Sequence, residues 1–499
     1  MRVRLRHASL SVRASRPPNG IVWLAVILTL NSIGGCTVGP DYERPSPARW
    51  EGPTFAYAEP AGERQSPATR LDRWWERFND PLTNALVVEA AVENLDIGSA
   101  AASLLEAEAN LRAVNGGRLP RVDLAASPSR SFSGTAETPR RYTTSLQTTA
   151  AVSWQADLFG RIRRQVESAS ATMDASEEDY LATAHTVISE VVRLRADLSV
   201  AQRRLSLAEE IVRSRRDTLR STERSYRQGS ESVSAVDVRL AQENLTAAQA
   251  DLPARRRDLE LVGLALDVLV GRVPGTSELD QKLLAPLPPT PAPPVGVPAS
   301  LVDRRPDLRA SAFRVAAANA GIGVEVADLY PDLLVSGTVG FNNSSIERIF
   351  DARGLLGSIA GDLTYRLFEG GAIQAEIDAA EARHAGQATT YASQVLTAVR
   401  EVNDALVNER RLREQIVLLE SQTTAALQAE LLARDRYTRG LGSLLTVLDT
   451  ERRRRAAEDQ LLRLQGDVWS ARGDLHLALG GDWAIEIRGP SITTAKAES

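Results

Sequence analysis

The chain has 499 residues, 43% of them hydrophobic and 25% charged, with a formal net charge of −5. That length allows a large core or several smaller ones, and the acidic balance argues against nucleic acid as a partner. Cys36 is the only cysteine, so no disulfide can form within the chain.

Arg2, Arg4, Arg6, Arg13 and Arg16 precede an apolar run from Ile21 to Leu30, and a stretch of small residues ends at Cys36. This layout predicts a secretory signal over residues 1–35. The apolar run is too short for the roughly 20 residues of a membrane-spanning helix, and no later segment reaches that length. Ile33-Gly34-Gly35-Cys36 resembles the bacterial lipobox, in which the cysteine is lipidated and becomes residue one. Cys36 is therefore the expected lipidation site. Thr37, where an aspartate would favour retention at the inner membrane, points by the same resemblance to the outer membrane. Losing five arginines and no acid takes the net charge from −5 to about −10. The remaining cations interleave with acids along the helical stretches and read as solvated faces.

The body of the chain is duplicated at an offset of 211 residues, pairing Asp96 with Asp307, Pro120 with Pro331, Trp154 with Tyr365, Gly160 with Gly371, Tyr226 with Tyr437 and Gly229 with Gly440. Residues 81–271 and 301–481 each read as a helix, a β hairpin (about 121–159 and 332–368) and two long helices meeting at a Tyr-x-x-Gly turn. Segments 36–80, 272–300 and 482–499 lie outside the repeats and are expected to gather around the middle. Pro286–Pro298, with seven prolines in thirteen residues, reads as an extended crossover strap.

Both hairpins alternate with period two. Leu146, Thr148, Ala150, Val152, Trp154, Ala156 and Leu158 share one face in the first, and Leu355, Gly357, Ile359, Gly361, Leu363, Tyr365 and Leu367 in the second. Alternation alone fits a half-buried soluble sheet and a transmembrane barrel equally. Four strands leave open edges that lipid does not tolerate, so a spanning sheet requires oligomerisation, and three chains would supply twelve strands. In the helices, Val191, Leu198, Leu205, Val212 and Leu219 recur every seven residues. Val238 to Leu266 and Ala398 to Ala426 do the same, which specifies left-handed coiled-coil packing. Pro253 predicts a kink or local unwinding.

These marks together resemble the outer membrane factor family, the TolC-like and OprM-like channels, and most closely its NodT-like lipoproteins. The resemblance rests on Gly35-Cys36-Thr37-Val38-Gly39-Pro40-Asp41-Tyr42, Trp74-Trp75 with Phe78, Asp157-Leu158-Phe159-Gly160, Arg304-Arg305-Pro306-Asp307-Leu308, Gly321-Ile322-Gly323 and both Tyr-x-x-Gly turns. It implies an α+β membrane protein in which a homotrimer forms a twelve-stranded transmembrane β-barrel, four strands per chain, continued by a long α-helical coiled-coil periplasmic tunnel. It further implies a passive exit duct in the outer membrane, extending into the periplasm and exporting small molecules or drugs. The implied partners are a periplasmic adaptor protein, an inner-membrane pump of RND or MFS type and outer-membrane lipid. Tyr226 and Gly229, and Tyr437 and Gly440, would mark the periplasmic tip that docks the adaptor. Glycine at a helix stop accounts for the same turns structurally.

The resemblance also places Asp449 near the threefold axis as a gate residue, although Gly442 stands where relatives can carry a latching arginine. Thr446-Val447-Leu448-Asp449 equally fits a helix-capping pattern, as does Ser234-Ala235-Val236-Asp237. Trp74 and Trp75 read as packing residues, and Arg304, Arg305 and Asp307 as a surface ion-pair cluster at a helix start. Catalysis has no footing: His185, His384 and His476 stand alone, no nucleophile or phosphate-loop motif occurs, and no cofactor or metal is expected. Gly321-x-Gly323 lacks the third glycine of a dinucleotide site. The alternatives are an exit duct for type I protein secretion and a periplasmic coiled-coil scaffold lipoprotein.

Overall fold

A computed structural model describes residues 37–44, 55–57, 73–134, 139–229, 233–277, 287, 301–345, 348 and 350–481. Cys36, and all of the Pro286–Pro298 strap except Leu287, lie outside them. The chain divides into two compact units, the first drawn from Met1–Pro40, Gly116–Gln165 and Ile322–Ile377.

In that unit β1 (Arg121–Ser133), β2 (Arg141–Ala156), β3 (Asp332–Asn343) and β4 (Leu355–Thr364) form one antiparallel sheet in the order β1-β2-β3-β4. Val122 lies opposite Val152, Val152 opposite Gly337 and Gly337 opposite Ile359. Directly opposed residues share a face, so this register gathers Val122, Leu124, Val152, Val339, Ile359 and Leu363 on one side. The other side collects Ser127, Gln147, Thr149, Ser336, Thr338 and Ser358. The apolar side is bare in a single chain, with Leu124 at 79% and Ile359 at 84% exposure. The strands are shorter than the alternation suggested: β2 ends at Ala156 and β4 at Thr364, leaving Leu158, Tyr365 and Leu367 beyond the ladder. After β2 the cause is Asp157, whose carboxylate accepts from the amides of Ile162 at 2.9 Å and Arg163 at 3.1 Å and so turns the chain into the next helix.

The segment that follows Cys36 is held against this unit. Val38 N–H donates to Phe159 O at 3.2 Å, and the Arg164 guanidinium donates to the carbonyls of Val38 at 3.1 Å and Gly39 at 3.2 Å. Gly39 has φ +87°, and a Cβ there would lie 2.5 Å from the Cα of Gly323. Gly39 thus permits the close backbone approach, and a Cβ at Gly323 would lie 2.8 Å from the Arg164 side chain, so the second glycine of Gly321-x-Gly323 leaves room for that arginine.

The second unit is helical. It holds α1 (Pro81–Glu93), most of α2 (Leu95–Gly116), most of α3 (Arg161–Arg227), α4 (Ala235–Leu269), most of α5 (Pro306–Ala327), most of α6 (Ala372–Thr438) and α7 (Leu444–Ala478). α3 and α6 are each 67 residues long, and α4 and α7 are each 35. A 67-residue helix spans on the order of 100 Å. No helix of the described residues is long and apolar enough to cross a membrane.

The heptad positions face inward: Val191, Leu198, Val212 and Leu219 of α3, Leu245, Leu259 and Leu266 of α4, and Ala398, Ala405 and Leu419 of α6 are buried. Pro253 does not unwind α4, which runs through it. Leu245 and Leu259 are buried on either side of the proline, so packing holds the helical path where one backbone hydrogen bond is lost.

Trp74, Trp75 and Phe78 are buried as core, with Trp74 stacked on His476 at 5.0 Å and Phe78 edge-on to Trp469 at 4.7 Å. Arg305 is more enclosed than a surface pair, its side chain 12% exposed and bonded to Asp307 and Glu401 at 2.7 Å each.

His476 is 1% exposed, and burial first, then Arg77 and Arg472, pushes its pKa down to about 3. The unfolded chain takes up that proton near the ordinary value of 6.5, whereas the folded chain does not. This contribution is therefore present in full above pH ~6.5 and is lost as pH falls toward ~3. His476→Phe keeps a ring against Trp74 and removes the titration. At pH 5 it should recover about 2 kcal/mol of the stability that wild type loses on acidification. Thermal midpoints at pH 7.5 and pH 5 test this, and equal acid shifts in the two proteins would refute it.

Candidate docking turns and gate

Two turns close the long helix pairs of the second unit. Gln228–Ser234 joins α3 to α4 and Arg439–Ser443 joins α6 to α7, so the second connection is two residues shorter than the first. α3 stops at Gly229, φ +71°, whose N–H donates to Tyr226 O at 3.1 Å. α6 stops at Gly440, φ +73°, whose N–H donates to Tyr437 O at 2.9 Å while Leu441 N–H reaches Arg436 O at 2.9 Å. This paired 5→2 and 6→1 closure needs a left-handed residue, which glycine supplies without a Cβ clash. The tyrosines differ: Tyr226 is 48% exposed, whereas Tyr437 packs on the cluster of Val212, Leu219, Leu245, Leu444 and Leu448. That cluster joins the α3–α4 pair to α7.

The following helices start differently from one another. Ser234 and Asp237 form a reciprocal capping box at α4, as the sequence suggested. At α7 the cap is Ser443, whose Oγ accepts from Thr446 N at 3.3 Å. The capping reading of Asp449 is therefore wrong. The shorter second turn brings Thr446 to the third helical position and carries Asp449 into the second turn. There Asp449 bonds Arg452 at 2.7 Å and Arg453 at 2.8 Å, and these two hydrogen bonds hold its carboxyl below the usual range. The group is a half-exposed anion flanked by two cations of its own helix.

Two residues beyond Asp449, Glu451 has no exposed surface, and its carboxylate lies 3.4 Å from Arg215 of α3 and 3.8 Å from Arg434 of α6. Arg434 also pairs with Glu430 at 2.9 Å, Glu430 with Arg454, and Arg454 with Glu458 at 2.8 Å. An ionic network thus ties α3, α6 and α7 together. No motif in the sequence marks this network. Its signal was an acid on the inward spacing Leu444, Leu448, Glu451, where an apolar residue is expected.

Elsewhere, Glu325, Asp328 and Glu376 bring carboxylate oxygens within 4.8 Å of one another, and Asp328 is already paired with Arg161 at 3.1 Å. His185 is buried, and its pKa is pushed down to about 3 by burial.

With this geometry in view, the profile of the outer membrane efflux protein family matches residues 86–272 and 297–481, one match in each repeat. The solvent efflux pump outer membrane protein SrpC of Pseudomonas putida is 30% identical over 473 residues, covering 92% of this chain and 98% of the relative. Nodulation protein T of Rhizobium leguminosarum bv. trifolii is 27% identical over 455 residues, covering 90% and 95%. Among solved structures, the outer-membrane channel OprN superposes with a TM-score of 0.79 at 29% identity, covering 90% of this chain and 99% of that one.

Proposed function

Because the chain belongs to the outer membrane efflux protein family, and so is an outer-membrane efflux channel and not an enzyme, we propose a division of labour among its parts: a lipid at Cys36, adaptor docking at the two inter-helix turns, and a gate at Asp449. Three chains complete the twelve-stranded barrel and the helical tunnel. The carrying observation is the sheet itself, four strands with an apolar face, a polar face and two open edges. A periplasmic scaffold would have no use for it.

The duct supplies no energy, so direction comes from an inner-membrane pump through a periplasmic adaptor. We assign the pump to the RND or MFS type and the cargo to small amphiphilic molecules, in keeping with the solvent efflux pump to which SrpC belongs.

Cys36→Ser should give a chain that labelled lipid no longer marks and that is poorly held by the membrane until the barrel inserts. Wild-type protein that fails to take up labelled lipid would end that assignment.

Docking at Gln228–Ser234 and Arg439–Ser443 is supported by the matched ends of two helix pairs, which offer three chains' worth of near-equivalent turns. Photocrosslinkers at Tyr226 and Tyr437 should capture the adaptor in cells. Capture of neighbouring channel chains alone would count against docking.

For the gate, each chain places one acid and two arginines on the start of α7. Asp449→Asn leaves the arginines uncompensated, so cation selectivity should fall and block by multivalent cations should weaken in reconstituted trimers. Single-channel recordings with selectivity and block both unaltered would remove Asp449 from the gate.

A further inference from the structure

The hairpin end of the β1–β2 pair carries a feature that a conduit does not require. Arg130 and Phe132 continue the apolar face of β1 past Val122, Leu124 and Pro128, and Tyr142, opposite Phe132, continues that of β2. The Arg130 guanidinium lies over the Tyr142 ring at 4.9 Å and that of Arg140 over the Phe132 ring at 5.6 Å. Two cations therefore interleave with two aromatics on the face that meets lipid. Arg130 stands nine residues along β1 from Arg121. At ~3.3 Å per residue and a tilt of ~40° this is about 23 Å of height, against an apolar band of about 25 Å. The patch thus falls at the far rim of the hydrocarbon, where lipid headgroups begin.

No acid occurs on the outward face of β1 or β2. The duplication supplies an internal comparison: at the 211-residue offset Phe341 stands for Arg130 and Asp351 for Arg140. Phe341 meets Phe350 edge-on at 5.8 Å, while the arginines of that hairpin end bond elsewhere, Arg348 to Ser345 Oγ at 3.2 Å and Arg353 to Asp351 at 3.5 Å. The second hairpin thus pairs its aromatics with each other, whereas the first stacks them with cations.

We propose that the Arg130–Phe132–Tyr142–Arg140 patch binds the phosphates of an anionic glycolipid in the outer leaflet. The ring stacking pre-orients the guanidiniums, which leaves their forked N–H groups free for phosphate oxygens. The proposal rests on the barrel reading, with the hairpin end at the cell surface.

Trimers of wild type, Arg130→Gln, Arg140→Gln and the double variant are assayed for binding of bis-phosphorylated and dephosphorylated lipid A in phosphatidylcholine nanodiscs. Each single variant should bind the phosphorylated lipid about fivefold more weakly and the double variant roughly 25-fold more weakly. The dephosphorylated lipid should bind weakly to all four. If the double variant fails to form heat-stable trimers, Arg130→Lys with Arg140→Lys, which keeps the charge but loses the fork, is read against wild type and should bind about fivefold more weakly. Undiminished binding by the double variant or by the lysine pair would overturn the proposal. Equal affinity for dephosphorylated lipid A would mean apolar contact only, and displacement by equimolar inorganic phosphate would mean a general anion site; either result also overturns it. Conductance should be unchanged in every variant, so a negative result here leaves the channel reading intact.

Discussion

A backbone amide or carbonyl in hydrocarbon has no water to turn to, and this constraint shapes the rest of the molecule. One chain contributes four strands in which β2 and β3 are paired on both sides and β1 and β4 on one side only. The two unsatisfied edges cannot remain so in a bilayer. They are complementary, since both belong to an antiparallel sheet, and closing them on neighbouring copies yields a barrel with no edge at all. Twelve strands give a lumen, where eight would be filled by side chains. Trimerisation is thus the condition under which the sheet can exist in its solvent.

The helical unit solves a different problem, holding very long helices in one register. Leucine and valine at heptad spacing give adhesion but tolerate slippage by a full repeat. Glu451 and its arginine partners do not, because a buried carboxylate displaced from Arg215 and Arg434 would be left uncompensated. Such a network adds little net stability while penalising every alternative alignment of α3, α6 and α7. Gly229 and Gly440 complete the arrangement by ending the helices within a single residue, so the turns keep fixed positions.

Much of this was legible in the sequence. Period-two alternation located all four strands, and period-seven leucines located the buried faces of α3 and α4, because both patterns report burial directly. The 211-residue offset carried hairpin onto hairpin. What escaped depended on geometry that spacing does not encode. Asp449 read as a cap because the pattern Thr-x-x-Asp was present, yet the cap is Ser443, set by a turn two residues shorter than its counterpart. Pro253 read as a kink or local unwinding because propensity is local, whereas the packing that carries α4 past it without unwinding is not. The role of Gly323 is absent from local spacing, because the groups it makes room for, Arg164 and Gly39, come 159 and 284 positions earlier in the chain.

The polar face of the sheet, which the barrel turns inward, is composed chiefly of hydroxyl and amide side chains such as Ser127, Ser129, Gln147, Thr149, Ser336, Thr338 and Ser358. Its acids Asp123, Asp332 and Asp362 sit near the helix-joined end, where Asp123 pairs with Arg121 at 2.9 Å and Asp332 accepts from Gln155 at 2.9 Å. Small neutral hydrogen-bonding groups hold water well and hold solutes poorly, so this wall gives a passing molecule no place to dwell. Transit through it is a matter of diffusion and width. A pipe that does not recognise its contents can be coupled to many different engines without being rebuilt for each, and the sequence of its inner wall is free to drift as long as it stays wet.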